Sequence, residues 1–504
     1  MKPISEQIKS KPWLGWLLFF VTMIVVFLLG LLASSVMERR AEAVFAYAPK
    51  VKLSQFEPRN EVWGENFPKE FQSYYQTADT TFRSLYGGNG VVDMLEHYPD
   101  YVILWAGYAF SKSYNQGRGH FYAVEDVWNS LRVGSPMGDE KSPQPNTCWT
   151  CKSPDVPRLM NEMGVAEFYK GTWETKGHQV VNPIGCADCH DAETMNLRIS
   201  RPALIEAFKR LGKDITKATH QEMRSLVCAQ CHVEYYFDKK KIKDVAYLTF
   251  PWDKGNSVEQ IEAYYDEIEF TDWTHGLSRT PMLKAQHPDY EVFTTGIHYQ
   301  RGVSCADCHM PYVSEGGQKY THHKIQSPLN HISKSCQVCH RESEEELRNN
   351  VYERQKKIKE IQVMLEHMLV RNHIEAKAAW DAGATEKEMA PILKLIRQAQ
   401  WRWDFCAAGH GNSFHAPLEI ARIISTGIDK SHQARFELQK VLAAHNVKTP
   451  IPLPVISTKA KAQSYIGLNM NQLNKEKEQF MNTVIPKWLE KAKERESKYP
   501  KTVL

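Results

Sequence analysis

The longest hydrophobic run of the chain lies near its N-terminus. Residues 13–36 include no charged residue, and about 20 apolar residues are enough to cross a bilayer as a helix. Lysines precede the run, which favours a cytoplasmic location for residues 1–12. The small residues at 31–35 leave a cleaved signal peptide as the alternative, although the run exceeds the roughly 7–15 residues of a signal peptide's apolar segment. We predict a transmembrane anchor or signal-anchor over residues 13–36.

Helical periodicity dominates the last third of the chain. Residues 342–379 contain neither proline nor glycine, and apolar side chains recur every three or four positions, as at Ile358, Ile361 and Leu365. Further helices are predicted from near Thr385 to the aromatic cluster at 401–405 with a disturbance around Pro391, then over residues 417–446, and finally over residues 459–493. We predict that residues 341–504 form a helical region of the same globular unit, with helix lengths suited to a homodimer interface.

Strand-like alternation is scarce in the preceding region, residues 47–340. Aromatic residues are dense between Trp63 and Trp128, and glycine-rich turns lie at 87–90 and 117–119. Irregular loops and short helices are therefore expected. The predicted fold class is mainly α, with little β and long C-terminal helices.

Composition is that of a large folded protein. The 504 residues carry a formal net charge of +4, which is nearly balanced for this length and gives no indication of nucleic-acid binding. The chain has 11 cysteines, and ten of them fall into five Cys-x-x-Cys pairs. Cys406 is left over in an apolar aromatic run, where a buried inert thiol is expected.

Four of the five pairs are followed immediately by histidine. The four segments are Cys186/Cys189/His190, Cys228/Cys231/His232, Cys305/Cys308/His309 and Cys336/Cys339/His340. Cys-x-x-Cys-His is the attachment signal for c-type haem, in which the thiols bind the porphyrin and the next side chain ligates the iron. Disulfides or zinc sites are alternatives, but neither explains the adjacent histidines. Haem attachment of this kind occurs outside the cytoplasm, so we expect the body on the periplasmic side of the membrane, with the haems supplying much of the apolar core.

The first pair breaks the pattern. Cys148 and Cys151 are followed by Lys152, in the segment NTCWTCK. An iron that binds substrate needs an open axial position, whereas an iron that only passes electrons is better served by two ligands. We interpret the lysine motif as the working site and the four regular motifs as the electron path to it.

Five attachment segments in this order, with lysine in the first, resemble pentahaem cytochrome c nitrite reductase, the ammonia-forming type. The resemblance extends from about Trp63 to the C-terminus. Family-like segments are residues 131–134 (LRVG), 232–238 (HVEYYFD), 284–288 (KAQHP) and 413–417 (SFHAP). It implies a pentahaem catalytic region over residues 47–340 that reduces nitrite to ammonium by six electrons.

The resemblance also implies the remaining iron ligands. Lys152 would be the proximal ligand of the first haem, and its amine coordinates only when it is deprotonated. The distal ligands would be His323 for the second haem, His120 for the third, His415 for the fourth and His298 for the fifth. Read without the family, each of these histidines would more often be an ordinary surface or core residue, and His322 lies directly beside His323.

The substrate pocket implied by the resemblance contains Arg132, Tyr235 and His287. Arg132 would attract and orient nitrite, His287 would relay protons, and Tyr235 would hydrogen-bond to intermediates. The simpler alternatives are that Arg132 neutralises a haem propionate and that Tyr235 is a packed aromatic residue.

A calcium ion is implied beside this pocket. Glu234 and Gln286 would supply side-chain oxygens, and Tyr235 and Lys284 would supply backbone carbonyls, which are the hard ligands that calcium prefers. The ion would join the Tyr235 and His287 loops and raise the positive potential over the substrate.

Two rival functions remain open at this point. The first is a multihaem electron carrier in which Lys152 caps a low-spin iron. The second is a related multihaem reductase of hydroxylamine or sulfite. A quinol-linked membrane cytochrome is the expected electron donor, although another donor would serve, and the chain is expected to act as a homodimer.

Overall fold

The computed structural model describes residues 4–45, 49–409, 411–500 and 502–503. Its four longest helices are labelled α1 to α4. Helix α1, Pro12–Phe45, follows a short helix at Ile4–Ser10. The stretch Pro12–Arg39 is long and apolar enough to cross a membrane, and no residue of its most apolar part is buried against the protein. The predicted run at residues 13–36 is therefore one exposed helix.

Short elements make up the body that follows. Its α-helices are Asn60–Asn66, Pro68–Tyr75, Met94–His97, Asp100–Leu104, Ala123–Asn129, Asp155–Met163, Val165–Tyr169, Cys186–Cys189, Pro202–Arg210, His220–Ala229, Val258–Glu267, Asp289–Thr295, Ile297–Gln300, Cys305–His309 and Ile332–Ser335. Its 3₁₀ turns are Gln76–Ala78, Ala109–Ser111, His120–Tyr122, Leu131–Val133, Asn146–Cys151, Trp173–Gln179, Ile215–Lys217 and Pro328–Asn330.

The described strands form six separate two-stranded antiparallel ladders. They pair Val51–Lys52 with Thr502–Val503, Arg83–Ser84 with Gly87–Gly88, Val92–Asp93 with Asn115–Gln116, Tyr236–Asp238 with Tyr247–Thr249, Trp273–Thr274 with Pro281–Met282, and Tyr312–Glu315 with Gln318–Thr321. The prediction of a mainly α fold with little β is confirmed.

Three long helices pack against one another beside this body: α2 (Glu344–Asp381), α3 (Glu386–Ala407) and α4 (Pro417–Ala444). Helix α2 begins where the Ser343 hydroxyl accepts a hydrogen bond from the Glu346 amide. Three glutamates in its first turn interact favourably with the positive end of the helix dipole. The predicted disturbance of α3 at Pro391 is wrong, because the helix is continuous there. Pro391 lies in the second turn. Because proline has no amide hydrogen, the Lys387 carbonyl lacks the hydrogen-bond donor that another residue would supply there.

The prediction of one helix over residues 459–493 is also wrong. This segment contains three helices, Lys459–Tyr465, Met470–Thr483 and Ile485–Ser497. Gly467 has a φ of +79°, which ends the first helix in the left-handed region. The Asn469 side chain caps the second helix, and Pro486 stands in the first turn of the third, where proline is well tolerated.

Buried polar contacts attach α2 to the body. The rings of His275 and His373 stack with centroids 3.6 Å apart and planes at 11°. The His373 ring also hydrogen-bonds to the Ser278 hydroxyl and the Gln400 side chain. Cys406 is buried within α3, as predicted, and burial raises the pKa of its thiol. The long helices are therefore continuous with the core of the body.

Candidate functional site

One cavity of about 2360 Å³ runs through the body. Pockets that hold one small ligand usually measure about 300–1,000 Å³, so this cavity has room for several groups. All ten cysteines of the Cys-x-x-Cys pairs line it. The residues that follow the pairs line it as well, namely Lys152, His190, His232, His309 and His340.

Each motif histidine faces a second imidazole across the cavity. The ring centroids are 6.1 Å apart for His190 and His323, 6.3 Å for His232 and His120, 6.3 Å for His309 and His415, and 6.4 Å for His340 and His298. The structure thus brings each histidine expected as a distal ligand opposite the motif expected for it. His322 instead lies 5.3 Å from His331.

The Nδ1 atoms of several of these rings are already engaged. Backbone carbonyls lie near Nδ1 of His190 (Met195, 2.8 Å), His309 (Gln326, 2.9 Å) and His323 (Thr321, 2.7 Å). The Asp289 carboxylate lies 3.1 Å from Nδ1 of His232. A ring that donates its Nδ1–H in this way presents Nε2 as a free lone pair, which is the usual arrangement behind a metal-ligating histidine.

Burial keeps the facing histidines in the neutral form that binds metals. Desolvation, aided by the neighbouring ring, lowers the pKa of His323 and of His415 to about 4. Desolvation together with the charges of His232 and Lys152 lowers the pKa of His120 to about 3. The donor set of thiols and neutral imidazoles therefore fits c-type haems.

Thiols of neighbouring motifs are close enough to shift one another's pKa. The Cys231 thiol lowers the pKa of Cys151 of the lysine motif, and Cys228 of that same third motif lowers the pKa of Cys305. The third motif consequently lies between the lysine motif and the fourth. Groups attached at these three motifs would be close neighbours.

The lysine motif is held rigidly by tryptophan packing. Its 3₁₀ turn, Asn146–Cys151, places Trp149 in a buried stack on Trp173, with centroids 4.8 Å apart and an Nε1–H bond to the Trp173 carbonyl. The Thr147 hydroxyl donates to the Ala246 carbonyl at 2.5 Å. Lys152 follows at the end of this turn and lines the cavity.

Arg132, Tyr235 and His287 line the same cavity as Lys152. The Arg132 guanidinium lies over the Phe110 ring at 4.4 Å, and its Nε donates to the Ser130 hydroxyl at 3.1 Å. Burial, followed by the charge of Lys152, lowers the pKa of His287 to about 3. Burial likewise raises the pKa of Tyr235 well above its usual value, so its phenol stays a hydrogen-bond donor.

The residues expected to bind calcium also lie together. The Glu234 carboxylate is fully buried and accepts hydrogen bonds from the Tyr265 phenol at 3.0 Å and the Gln286 amide at 2.6 Å. The Gln286 side chain donates to the Lys284 carbonyl at 3.2 Å. Desolvation raises the pKa of Glu234 well above its usual value, which indicates a carboxylate without charge compensation. Within the described ranges, no three His, Cys, Asp or Glu residues form a metal-binding group, so backbone and amide oxygens would have to complete such a site.

Sequence reasoning missed four acids around this site: Glu291 and Asp404 are buried, and Asp272 and Asp289 are half-buried. Asp404 forms an ion pair with Lys284 at 2.7 Å, and both side chains are almost fully buried. Burial raises the pKa of Asp272 to about 7 and that of Glu291 to about 8. The signal available for Asp404 was its place as a lone acid inside the run WRWDFC, because a charge in an apolar run requires a partner.

Comparison with known proteins identifies the family. A profile of the cytochrome c552 family matches residues 59–498. The cytochrome c-552 of Parabacteroides distasonis is 62% identical over 487 residues, covering 96% of this chain and 98% of that protein. This chain belongs to the cytochrome c552 family. The cytochrome c-552 of Aliarcobacter butzleri is 47% identical over 490 residues, covering 96% of this chain and 97% of that protein.

A solved structure extends the family comparison to the fold. The catalytic subunit of the cytochrome c nitrite reductase from Desulfovibrio desulfuricans ATCC 27774, which has two calcium sites, superposes with a TM-score of 0.72 at 31% identity, covering 84% of this chain and 91% of that chain. The cytochrome c552 family member described here thus has a multihaem cytochrome fold and is an oxidoreductase of the cytochrome c nitrite reductase class.

Breaking the Lys284–Asp404 pair should destabilise the protein strongly. Lys284→Met leaves the Asp404 carboxylate buried without its partner, which typically costs about 3–5 kcal/mol. The control is Lys284→Met combined with Asp404→Asn, which removes both charges and keeps an acceptor for the Ala285 amide. Guanidinium unfolding of the haem-loaded protein should show a clearly smaller loss for the double variant. Equal losses for the two variants would contradict the ion-pair explanation.

Proposed function

We propose that this protein reduces nitrite to ammonium by six electrons at a haem ligated by Lys152 and supplied by four bis-histidine haems. The observation that carries the proposal is the contrast among the five motifs. Four end in histidines that face a second imidazole at 6.1–6.4 Å. The remaining motif, the first in the chain, ends in Lys152, which lines the same cavity as Arg132, Tyr235 and His287.

The separation of the rings supports one metal ion between each pair. Two metal–nitrogen bonds of about 2.0 Å, with roughly 1.2 Å from each nitrogen to its ring centre, give a centroid separation of about 6.4 Å. Stacked imidazoles lie much closer, as His275 and His373 do at 3.6 Å. His232 also lies 6.2 Å from His287, so its pairing with His120 rests on the family resemblance as well as on the distance. We assign the pairs His190/His323, His232/His120, His309/His415 and His340/His298 as ligands of four haems.

When bound, the five haems supply electrons, and the iron at Lys152 supplies the open position at which the substrate is reduced. Arg132 attracts nitrite and orients it, since a guanidinium remains charged even where burial lowers its pKa. Its position against Phe110 keeps the group away from bulk water, which strengthens its field on an anion.

The uncharged His287 and Tyr235 handle protons. The low pKa of His287 leaves a neutral imidazole, which donates one N–H toward substrate oxygen and can be reprotonated at its other nitrogen. Tyr235 keeps its phenolic proton because burial raises its pKa. Both side chains can therefore hydrogen-bond to the nitrogen–oxygen groups of the substrate as the oxygens leave as water.

A calcium ion belongs to the proposal as well. Glu234, the Gln286 side-chain oxygen and the carbonyls of Tyr235 and Lys284 are assigned as its ligands, in analogy to the relative's calcium sites. Support comes from Glu234, a buried carboxylate whose neighbours are a phenol and an amide, while the Lys284 ammonium pairs with Asp404 instead. A hard divalent cation satisfies such a carboxylate.

Exposed apolar residues support a homodimer. Phe436 on α4 is 65% exposed and Met364 on α2 is 56% exposed. Val338 in the fifth motif and Leu418 at the start of α4 are also exposed. We propose that the long helices contribute to the homodimer interface, with a quinol-linked membrane cytochrome as the external electron donor.

The first test of the function concerns Arg132. The haem-loaded protein with a reduced viologen dye should convert nitrite to ammonium, and Arg132→Ala should lose at least about tenfold in kcat/KM for nitrite, or about 1.4 kcal/mol. Hydroxylamine is uncharged, so its reduction should fall less. Arg354→Ala serves as the control, since Arg354 also lines the cavity but lies on α2. Equal losses on both substrates would refute anion binding by Arg132.

The second test exchanges the lysine ligand. Lys152→His keeps both cysteines and converts the segment to a regular attachment motif, so five haems should remain by mass and haem spectrum. Because the axial ligand sets the electron density at the iron, nitrite turnover should fall about tenfold or more. Full activity with five haems present would show that lysine only attaches another electron carrier.

The third test concerns the membrane. The exposed helix α1 should keep the mature protein in the membrane fraction, on the periplasmic side, with residues before Trp13 still present. Fractionation and N-terminal sequencing check this directly. A mature N-terminus after Ala33 would establish a cleaved signal peptide instead.

A further inference from the structure

A buried lysine on the C-terminal helix Met470–Thr483 contacts the segment that carries Arg132. Lys477 is 7% exposed, and its ammonium donates hydrogen bonds to the backbone carbonyls of Trp128, at 3.0 Å, and Gly134. Trp128 lies in the last turn of the helix Ala123–Asn129. Gly134 directly follows the 3₁₀ turn Leu131–Val133. One ammonium therefore joins the two ends of the Arg132 loop, residues 128–134.

The interior of the loop is fixed separately. The Ser130 hydroxyl accepts from the amide of Arg132 at 3.2 Å and from its Nε at 3.1 Å. Gly134 has a φ of +74°, in the left-handed region that favours glycine, and its amide donates to the Leu131 carbonyl at 3.1 Å. These bonds set the shape of the loop, while Lys477 ties that shape to the rest of the body.

The same helix also contacts the packing behind the lysine motif. Phe480, one turn after Lys477, is fully buried, and its ring lies 6.1 Å from Trp173. Trp173 is the residue on which Trp149 of the lysine motif stacks. The Lys477 ammonium itself lies 4.9 Å from the Phe480 ring. A single helical turn thus contacts both the Arg132 loop and the packing that holds the Lys152 motif.

We propose that Lys477 is a positioning residue for Arg132. The two carbonyl contacts of Lys477 hold the Arg132 guanidinium in a fixed position relative to the Lys152 motif. The inference rests on the proposed function, because it assigns Lys477 a role in binding the anionic substrate. Lys477 is assigned no contact with substrate or cofactor. Its effect passes through the backbone of residues 128–134.

The charge of Lys477 makes the positioning sensitive to pH. Burial alone lowers the pKa of Lys477 to about 7. The ionisable groups on the elements packed against it do not contribute to this shift; they are Glu125, Asp126, Arg132, Lys487, Glu490, Lys491, Lys493, Glu494, Arg495, Glu496 and, on its own helix, Lys475, Glu476 and Glu478. Below pH 7 the ammonium makes charge-assisted bonds to the carbonyls, and above pH 7 the neutral amine makes weaker ones.

The test compares Lys477→Met with Lys475→Met in the haem-loaded protein. Lys475 is an exposed lysine on the same helix. Lys477→Met should raise hydrogen exchange of residues 129–134 by about tenfold and lower kcat/KM for nitrite by about tenfold, mainly through KM, with a smaller effect on hydroxylamine. Lys475→Met should match the wild type in all three measurements.

Outcomes separate this inference from the proposed function. If the wild type reduces nitrite but Lys477→Met leaves exchange and KM unchanged, the positioning role is overturned while the function stands. If Lys477→Met fails to fold, the pH dependence of hydrogen exchange in the wild type decides whether Lys477 has the positioning role. Exchange of residues 129–134, corrected for intrinsic rates, should accelerate as pH rises through about 7. A profile that is flat across that range overturns the proposal.

Discussion

The spacing of facing imidazole rings is the constraint on which the rest of the body depends. Rings held 6.1–6.4 Å apart across one cavity need support from the chain behind them. Carbonyls or Asp289 lie at the Nδ1 atoms of His190, His309, His323 and His232, whereas Nδ1 of His415 has no hydrogen-bond partner among the described residues. The connecting chain therefore runs around the cavity wall, where the described elements are short helices, 3₁₀ turns and strand pairs of two to four residues. Helices α2 to α4 carry none of these facing imidazoles, so they can be long and regular.

Local patterns in the sequence predicted what is locally determined. The attachment motifs and the long helices follow from spacing and periodicity, so α2 and α4 begin and end within a few residues of the expected positions. The helix break at Gly467 depends on one positive φ, which the spacing of apolar residues does not reveal. The distal side of the site is determined by contacts distant in sequence. His323 and His322 are adjacent and chemically identical, yet only the fold places His323 opposite His190.

Four cations near the lysine motif have different partners. Lys284 and Arg201 pair with buried carboxylates, Lys477 with backbone carbonyls, and Arg132 with a hydroxyl and an aromatic ring. Pairing with Asp404 and Asp188 removes most of the field of Lys284 and Arg201, whereas neutral partners leave the charge of Arg132 in place, and that of Lys477 below about pH 7. The net positive field thus lies at the loop where an anion would bind, rather than being spread evenly around the cavity.

The position of the helix Met470–Thr483 in the chain has a consequence for biogenesis. All five attachment motifs precede it in order of synthesis. Phe480 packs against Trp173, and Lys477 donates to the carbonyls of the Arg132 loop. In a chain exported from its N-terminus, the thiols would emerge first and would be accessible for haem attachment. The last helices would then dock around groups that are already bound, so the order of the chain would set the order of maturation.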